Sequence, residues 1–302
     1  MTSKRAATLH LPILSALLGA ALLSAPGNAT PFHFDAGAPD AKMAAASQPS
    51  TAGTETETGD DFILTVPTTL DHATFTGLIP AAVSTSSVQQ VVIEIYRVFP
   101  KDSTNPPGGN VPTRLNSPSD VAFASRDSAV VGELSFSASL LSGSFTANNS
   151  VVNGIHPIPN STTGGEGPVT GQEVLIDVSF SPMSLPADHY FFVPQVKLAS
   201  GSFLWLSSPK PITGTGTTPF TPDLQSWIRD ANLAPDWLRI GTDIVGGTTP
   251  PTFNQAFSLD GTITPAFDPT IPTLSAAGLV VLLVLLVGAA WALLRRRGER
   301  AA

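Results

Sequence analysis

Residues 91–99 have the sequence VVIEIYRVF, in which β-branched and aromatic side chains dominate. Successive side chains of a β-strand point to opposite faces, and residues of this kind pack well on a half-buried sheet, so the stretch predicts a strand. Such strands at regular spacing between turns predict an all-β, β-sandwich-like domain over residues 62–263. The same pattern recurs in residues 62–66, 73–78, 133–137, 173–180, 190–198, 203–206 and 256–259.

The amino-acid composition already excludes several classes of function. The 302 residues include 28 Pro and 25 Gly, a content typical of chains with many turns. They include no Cys, which excludes disulfides, thiol nucleophiles and thiolate metal sites. The 15 basic and 23 acidic residues give a net charge of -8, and the basic residues are scattered. We therefore expect no nucleic-acid partner.

The N-terminus carries the three-part pattern of a secretory signal peptide. Lys4 and Arg5 precede an apolar run over residues 11–23, and small residues follow up to Ala29. The run is short for a bilayer span, and small residues suit signal peptidase. We therefore expect residues 1–29 to engage the translocon and to be cleaved after Ala29. An uncleaved N-terminal anchor is the alternative.

A second apolar stretch, at residues 276–294, contains no charged side chain. As a helix it is about 28 Å long, close to the ~30 Å hydrocarbon core of a bilayer. Positive charge next to a span stays on the cytoplasmic side. The basic tail at 295–302 therefore predicts a span in inner-membrane lipid, a cytoplasmic C-terminus and an external domain. A buried core helix is the alternative. The charges of the tail are Arg295, Arg296, Arg297 and Arg300.

A short motif directly precedes this stretch and consists of Ile271, Pro272, Thr273, Leu274 and Ser275. With the span and the Arg cluster, it resembles the IPTL-CTERM sorting domain of exported bacterial proteins over residues 271–302. The resemblance implies that an exosortase-type membrane enzyme processes the chain near the motif. Pro272 favours an extended backbone, which such an enzyme can grip. Residues 264–270, with two prolines, predict a short stalk.

Three other parts of the chain predict departures from regular strands. Residues 30–61 are rich in Ala, Ser, Thr, Gly and acidic side chains, which predicts a flexible low-complexity leader. Residues 224–230 and 235–240 have apolar spacing closer to that of a helix, which predicts short helices. Residues 101–110 and 153–171 predict long polar loops, where binding residues are often found, with ordinary hairpin ends as the alternative.

Reactive residues are few, and no hydrolase, metalloprotease or phosphate-binding motif is present. The best local candidate is Asp188 beside His189, although neighbours on a strand point to opposite faces. Turn acids offer oxygen ligands for calcium, but without a recognised ligand spacing we expect no metal and no cofactor. The groups considered are His72, His156 and His189 for a triad, and Asp60, Asp61 and Asp71, or Asp260 and Asp268, for calcium.

Aromatic residues supply one binding hypothesis. Trp227 and Trp237 offer ring faces on which a sugar could stack, and filling of the core is the alternative. Taken with the terminal signals, the sequence predicts an exported bacterial cell-envelope protein with a structural or interaction role and no enzymatic activity. A carbohydrate-binding module with a surface polysaccharide as partner is the first alternative, and a secreted hydrolase is the second.

Overall fold

The computed structural model describes residues 30–51, 54–104, 108–156, 161–209, 224–264 and 276–298. Within these ranges the chain is mainly β-structure, with a 3₁₀ turn at Thr85–Ser87, a π-helical segment at Ile240–Val245 and one α-helix, α1 (Ala276–Gly298). The strands are β1 (Thr30–Asp35), β2 (Met43–Ala46), β3 (Gln48–Thr51), β4 (Thr54–Leu64), β5 (Thr68–Ile79), β6 (Val88–Arg97), β7 (Ala124–Asp127), β8 (Leu134–Ala147), β9 (Asn149–Val151), β10 (Val169–Leu185), β11 (Asp188–Leu198), β12 (Leu204–Ser208), β13 (Trp227–Asp230), β14 (Leu238–Arg239), β15 (Asn254–Gln255) and β16 (Phe257–Ile263).

The strands form two sheets. In the first sheet β10 lies between β8 and β5, and both pairings are antiparallel. The other side of β5 pairs with β16 and, further along, with β12. Strand β1 pairs with β16, whereas β2 and β15 pair with β12, and β9 pairs with β2. The second sheet has the order β14–β13–β4–β11–β6–β7, and β3 also pairs with β4.

The two sheets share one hydrophobic core. The core takes side chains from β5, β10 and β16 of the first sheet and from β4, β6 and β11 of the second. Aromatic rings meet at its centre, where Phe192 stacks on Phe257 at 5.2 Å between ring centroids and Trp205 lies 5.7 Å from Phe257. The indole nitrogen of Trp205 donates to the Ala256 carbonyl at 3.0 Å, so its burial leaves no lost hydrogen bond. The all-β prediction is confirmed.

The flexible leader predicted over residues 30–61 is wrong where the chain is described. These residues form β1, β2, β3 and most of β4, and the side chains of Met43 and Ala44 are fully buried. Strand β2 lies between β12 and β9 and pairs with both. Thr58 donates from its hydroxyl to the Ala46 carbonyl at 2.7 Å. The low-complexity composition therefore folds because strands from distant parts of the chain cover it.

The two short helices predicted near residues 224–240 are also wrong. Trp227–Asp230 forms β13, which pairs with β4, and Leu238–Arg239 forms β14. The apolar residues that suggested a helix are divided between two buried clusters. Trp227 and Trp237 pack with Phe191 of the second sheet, whereas Ile228 and Leu238 pack with Val111. A short segment buried on all sides has no amphipathic period that identifies its secondary structure.

The last described element of the chain is the helix α1, which includes the predicted span at 276–294. Side chains are described for residues 280–291 of this helix, and all of them are exposed. In the part of the chain that the structure describes, no helix meets the length and apolarity needed to cross a membrane. Ala29, the stalk from residue 265, the sorting motif Ile271–Ser275 and Arg300 lie outside the described residues, as do the side chains of Arg295, Arg296 and Arg297.

Candidate functional site

The predicted sugar platform does not present its aromatic rings to solvent. Trp227 and Trp237 are 1% and 0% exposed. The Trp237 ring packs edge-on against Tyr96, and its indole nitrogen donates to the Ser119 carbonyl at 3.1 Å. Both rings belong to a second hydrophobic cluster, on the outer side of the second sheet. The core-filling alternative is therefore correct, and stacking on a sugar is excluded in this conformation.

Beside these rings lies a cluster of buried charged groups, which we call the Arg229 cluster. Arg229 on β13 is the cross-strand neighbour of Glu57 on β4, and its guanidinium pairs with that carboxylate through Nε and Nη2. Nη2 also donates to the Tyr96 hydroxyl at 3.0 Å. The Tyr96 oxygen lies 2.9 Å from carboxylate oxygens of both Glu57 and Glu94. The guanidinium carbon is 4.5 Å from the Trp237 ring centroid, a cation–π distance.

The Arg229 cluster holds more acid than base. Burial and the negative charge of Glu57 raise the pKa of Glu94 to about 8, and the same two causes raise the pKa of Glu55. Burial acts to lower the pKa of Arg229, but Glu57 outweighs it and raises that pKa. The Tyr96 hydroxyl has one proton and two carboxylate acceptors, so full pairing requires a second proton in the group. The raised pKa of Glu94 favours this carboxyl as the carrier of that proton.

A second buried charge, Arg114, links residues 114–120 to Asp236, which lies between β13 and β14. Its guanidinium is fully buried and donates at 2.8 Å to both Asp120 and Asp236, and its Nε donates to the Ser117 hydroxyl. The guanidinium carbon also lies 4.7 Å from the Phe99 ring centroid. The positive charge of Arg114 is therefore paired with two carboxylates, and these hydrogen bonds hold the surrounding loop in one conformation. They leave the Arg114 guanidinium directed at protein groups rather than at solvent.

Asp188 and His189 do not converge. Asp188 pairs with Lys101 at 2.6 Å, whereas Nε2 of the fully buried His189 lies 2.6 Å from Asp61 Oδ2 on β4. The other Asp61 oxygen accepts from the Leu224 backbone at 2.8 Å. The sequence argument that adjacent strand residues face opposite ways is confirmed. The His189–Asp61 pair could not be found from sequence, because the two residues are far apart along the chain.

The calcium groups considered from sequence do not assemble either. Asp60 accepts from the Gln255 backbone at 2.7 Å, while its neighbour Asp61 pairs with His189 on the opposite face of β4. Asp71 is exposed, and Asp268 lies outside the described residues. Among the residues whose placement is described, no three His, Cys, Asp or Glu side chains are grouped as metal ligands.

A row of imidazoles and carboxylates crosses the outer face of the first sheet. His33 on β1 lies 2.6 Å from Asp260 on β16, and the other Asp260 oxygen lies 3.1 Å from His72 Nδ1 on β5. His72 Nε2 is 3.1 Å from Asp177 on β10. Burial acts to lower the pKa of His72, but its hydrogen bonds to both carboxylates outweigh burial and raise it. Hydrogen bonds from the two histidines likewise lower the pKa of Asp260 against the effect of burial.

Both ring nitrogens of His72 face carboxylate oxygens, so both hydrogen bonds form only when the imidazole is protonated. The row therefore ties together β1, β16, β5 and β10 through charge-assisted hydrogen bonds on an exposed surface. Its chemical role is a proton-dependent cross-link between strands. Sequence reasoning considered His72 and Asp260 separately and missed the row, because its members are brought together only by strand pairing.

The long loop at 153–171 is held by a carboxylate. One oxygen of Glu166 accepts from the backbone nitrogens of Val152, Asn153 and Gly154 at 2.6, 2.6 and 2.8 Å. These three donors outweigh burial and lower the pKa of Glu166. Within the described residues, Glu166 thus ties the start of the predicted loop to its end through backbone hydrogen bonds.

No family model, no curated protein and no solved structure matches this chain.

Proposed function

We propose that this protein is an exported bacterial cell-envelope protein whose β-domain is presented outside the inner membrane. In this proposal signal peptidase removes residues 1–29 after translocation, and residues 276–294 hold the product in membrane lipid with the Arg-rich tail in the cytoplasm. The motif Ile271–Ser275 is then the site at which an exosortase-type enzyme acts. The role of the domain is structural or interactive.

One observation supports export with cleavage most directly. The described strands all lie after the predicted cleavage site, since β1 spans Thr30–Asp35 and residues 1–29 lie outside the described part of the chain. Thr30 also lies opposite Ile263, the last residue of β16. The new N-terminus and the start of the predicted stalk are therefore neighbours at one end of the first sheet. That end is the one expected to face the membrane.

The polar groups of the domain favour a structural or interactive role over catalysis. The Arg229 cluster, the Arg114 contacts and the His189–Asp61 pair are buried and use their hydrogen bonds within the protein. Catalytic groups must reach a reacting atom within hydrogen-bond distance. The carbohydrate-binding alternative loses its main support with the burial of Trp227 and Trp237, so we do not retain it.

Cysteine labelling tests the proposed topology, because the natural chain has no cysteine that would react. Val131→Cys places a thiol at a side chain that is 100% exposed in the turn between β7 and β8. Ala302→Cys places one in the basic tail. In spheroplasts that lack the sorting enzyme, a membrane-impermeant maleimide should label the first variant and should label the second only after lysis. Equal labelling of both variants before lysis, or recovery of both in the soluble cytoplasmic fraction, contradicts the proposal.

A further inference from the structure

The sequence contains a single Asn–Gly pair, Asn153–Gly154, which lies just after β9. The Asn153 side chain is exposed to water. In such a pair the backbone nitrogen of the glycine can attack the side-chain amide of the asparagine. Glycine permits this attack because it has no Cβ to hinder the approach, and because its backbone reaches the conformations that close the ring. Asn153 is therefore the asparagine with the greatest intrinsic tendency to lose its amide.

Neither the backbone nor the packing requires glycine at position 154. Gly154 is not among the glycines with a positive φ, so an alanine could adopt its backbone conformation. The heavy atom nearest to an added Cβ would be Glu166 Oε1, at 3.4 Å. Gly165 differs in both respects, since its φ is +81° and an added Cβ would lie 2.3 Å from the Asn149 side chain. The structure therefore explains Gly165 but does not explain Gly154.

The carboxylate of Glu166 holds the nitrogen that would attack. Its Oε1 accepts from the backbone nitrogens of Asn153 and Gly154 at 2.6 and 2.8 Å, and from that of Val152; we call this group the Glu166 clamp. A peptide nitrogen attacks only after it loses its proton, and a carboxylate is far too weak a base to remove that proton. The hydrogen bond therefore stabilises the unreactive N–H form of Gly154 and directs it at Glu166.

The Glu166 clamp is fixed to the strand that precedes the Asn–Gly pair. The Glu166 backbone nitrogen donates to the Ser150 carbonyl at 2.8 Å. The next residue, Gly167, donates from its nitrogen to Asn149 Oδ1 at 3.0 Å, and its carbonyl accepts from the Ser150 hydroxyl at 2.9 Å. Asn149 and Ser150 both belong to β9. Glu166 and Gly154 therefore separate only when this part of the domain opens locally.

We propose that Asn153–Gly154 is a latent self-modification site, which the Glu166 clamp keeps inactive while it is closed. When the clamp opens, the Gly154 nitrogen forms a bond to Cγ of Asn153 and the bond from Cγ to Nδ2 breaks. The proton of the Gly154 nitrogen leaves with Nδ2 as ammonia, and the product is a cyclic succinimide. Water then opens the ring at either carbonyl, which gives aspartate or isoaspartate at position 153.

The product prevents the clamp from closing again. Both ring-opening products place a second carboxylate beside Glu166, and like charges at short distance repel. Isoaspartate also lengthens the backbone between residues 153 and 154, which displaces the nitrogens that Glu166 binds. The reaction therefore marks irreversibly those molecules in which the clamp has opened, and its rate reports the fraction of open molecules.

Peptide mapping by mass spectrometry tests the proposal, with the full-length chain incubated in mild detergent at mildly alkaline pH. The folded natural chain should convert Asn153 about tenfold to a hundredfold more slowly than the same chain in urea, the range that corresponds to a hydrogen bond to a charged group. Glu166→Ala should raise the rate in the folded protein by a similar factor and leave the rate in urea unchanged. Glu166→Gln keeps the shape and a neutral acceptor, so its rate should be intermediate.

Two control variants separate the chemistry from a general loss of stability. Gly154→Ala should slow the conversion both in the folded protein and in urea, because ring closure is hindered. Asp71→Ala removes an exposed carboxylate from β5 and should leave the rate unchanged. If Glu166→Ala does not fold, as judged by circular dichroism, Glu166→Gln decides the role of the carboxylate.

Three results would overturn the proposal. The first is conversion of the folded natural chain as fast as in urea. The second is a folded Glu166→Gln, or a folded Glu166→Ala, that converts no faster than the folded natural chain. The third is an undiminished rate in Gly154→Ala. None of these results would alter the labelling of Val131→Cys, so export is tested separately.

Discussion

Replacing Glu94 by Gln should stabilise the protein at neutral and alkaline pH. The pKa of this carboxyl is about 8 in the folded protein against 4.5 for an ordinary glutamate, because it is buried beside Glu57. The folded protein therefore binds the proton of Glu94 more tightly than the unfolded chain does. The resulting stabilisation is complete below pH 4.5 and is lost as the pH rises to 8. The amide introduced by Glu94→Gln would keep the shape of the side chain and a donor toward the Tyr96 oxygen, but would not have to ionise.

The magnitude follows from the pKa difference. At 1.36 kcal/mol per pKa unit, the ionisation penalty has a ceiling of about 3 kcal/mol at pH 7. Glu94 is half-buried, and solvent reduces the penalty, so we expect a gain of about 1–2 kcal/mol in the free energy of unfolding. For a domain of this size that raises the Tm by roughly 2–8 °C. Near pH 4.5 the gain should vanish.

The assay is thermal unfolding of the full-length chain in mild detergent, followed by the fluorescence of the buried tryptophans, at pH 4.5 and pH 8. Glu173→Gln is the control, because the pKa of Glu173 is raised by burial alone and no acidic neighbour contributes. Its gain in Tm at pH 8 should therefore be clearly smaller than that of Glu94→Gln. An equal Tm shift for Glu94→Gln at both pH values, or a lower Tm at pH 8, would refute the reasoning.

Three further substitutions follow from the packing and the charges. Trp237→Ala should cost about 3–5 kcal/mol in urea unfolding, because the ring is fully buried; a loss of glycan binding without a loss of stability would contradict its place in the core. Arg114→Ala should cost about 3–5 kcal/mol and expose residues 98–123 to protease, since Asp120 and Asp236 lose their buried partner; an unchanged digestion pattern would count against this. Asp260→Asn should cost less than about 1 kcal/mol, because the row is exposed. That loss should be largest between roughly pH 4 and 6.5. The pKa of His72 is raised, so its contribution to stability is lost as the pH rises through that pKa; the pKa of Asp260 is lowered, so its contribution is lost as the pH falls through that pKa. A loss of stability that does not depend on pH would exclude the cross-link.

The strands that alternate apolar and polar side chains could be predicted from the sequence, because one face of each packs on the core. Residues 91–99 and 173–180 are examples, and both form long strands. Residues 54–60 could not be predicted in the same way. Their carboxylates and threonines have the composition of a solvated leader. In the folded protein, however, Arg229 pairs with Glu57 and Ser47 accepts from the Thr58 backbone, and these contacts cannot be seen in the sequence.

The polar clusters were beyond sequence reasoning for the same reason. Arg229 is paired with Glu57 by the register of β13 on β4, and His33 is paired with Asp260 by that of β1 on β16. Neither pair has a local spacing that a pattern could detect. The burial of Trp227 and Trp237 likewise involves Val98, Ser119 and Ala122, which are far from both rings along the chain.

Export and sorting are tested by intact-mass and N-terminal analysis of the protein from native membranes of cells with and without the sorting enzyme. We expect a polypeptide that begins at Thr30 in both strains and that retains the basic tail only in the strain without the enzyme. A soluble cytoplasmic polypeptide that still carries Met1 and residues 2–29 would contradict it.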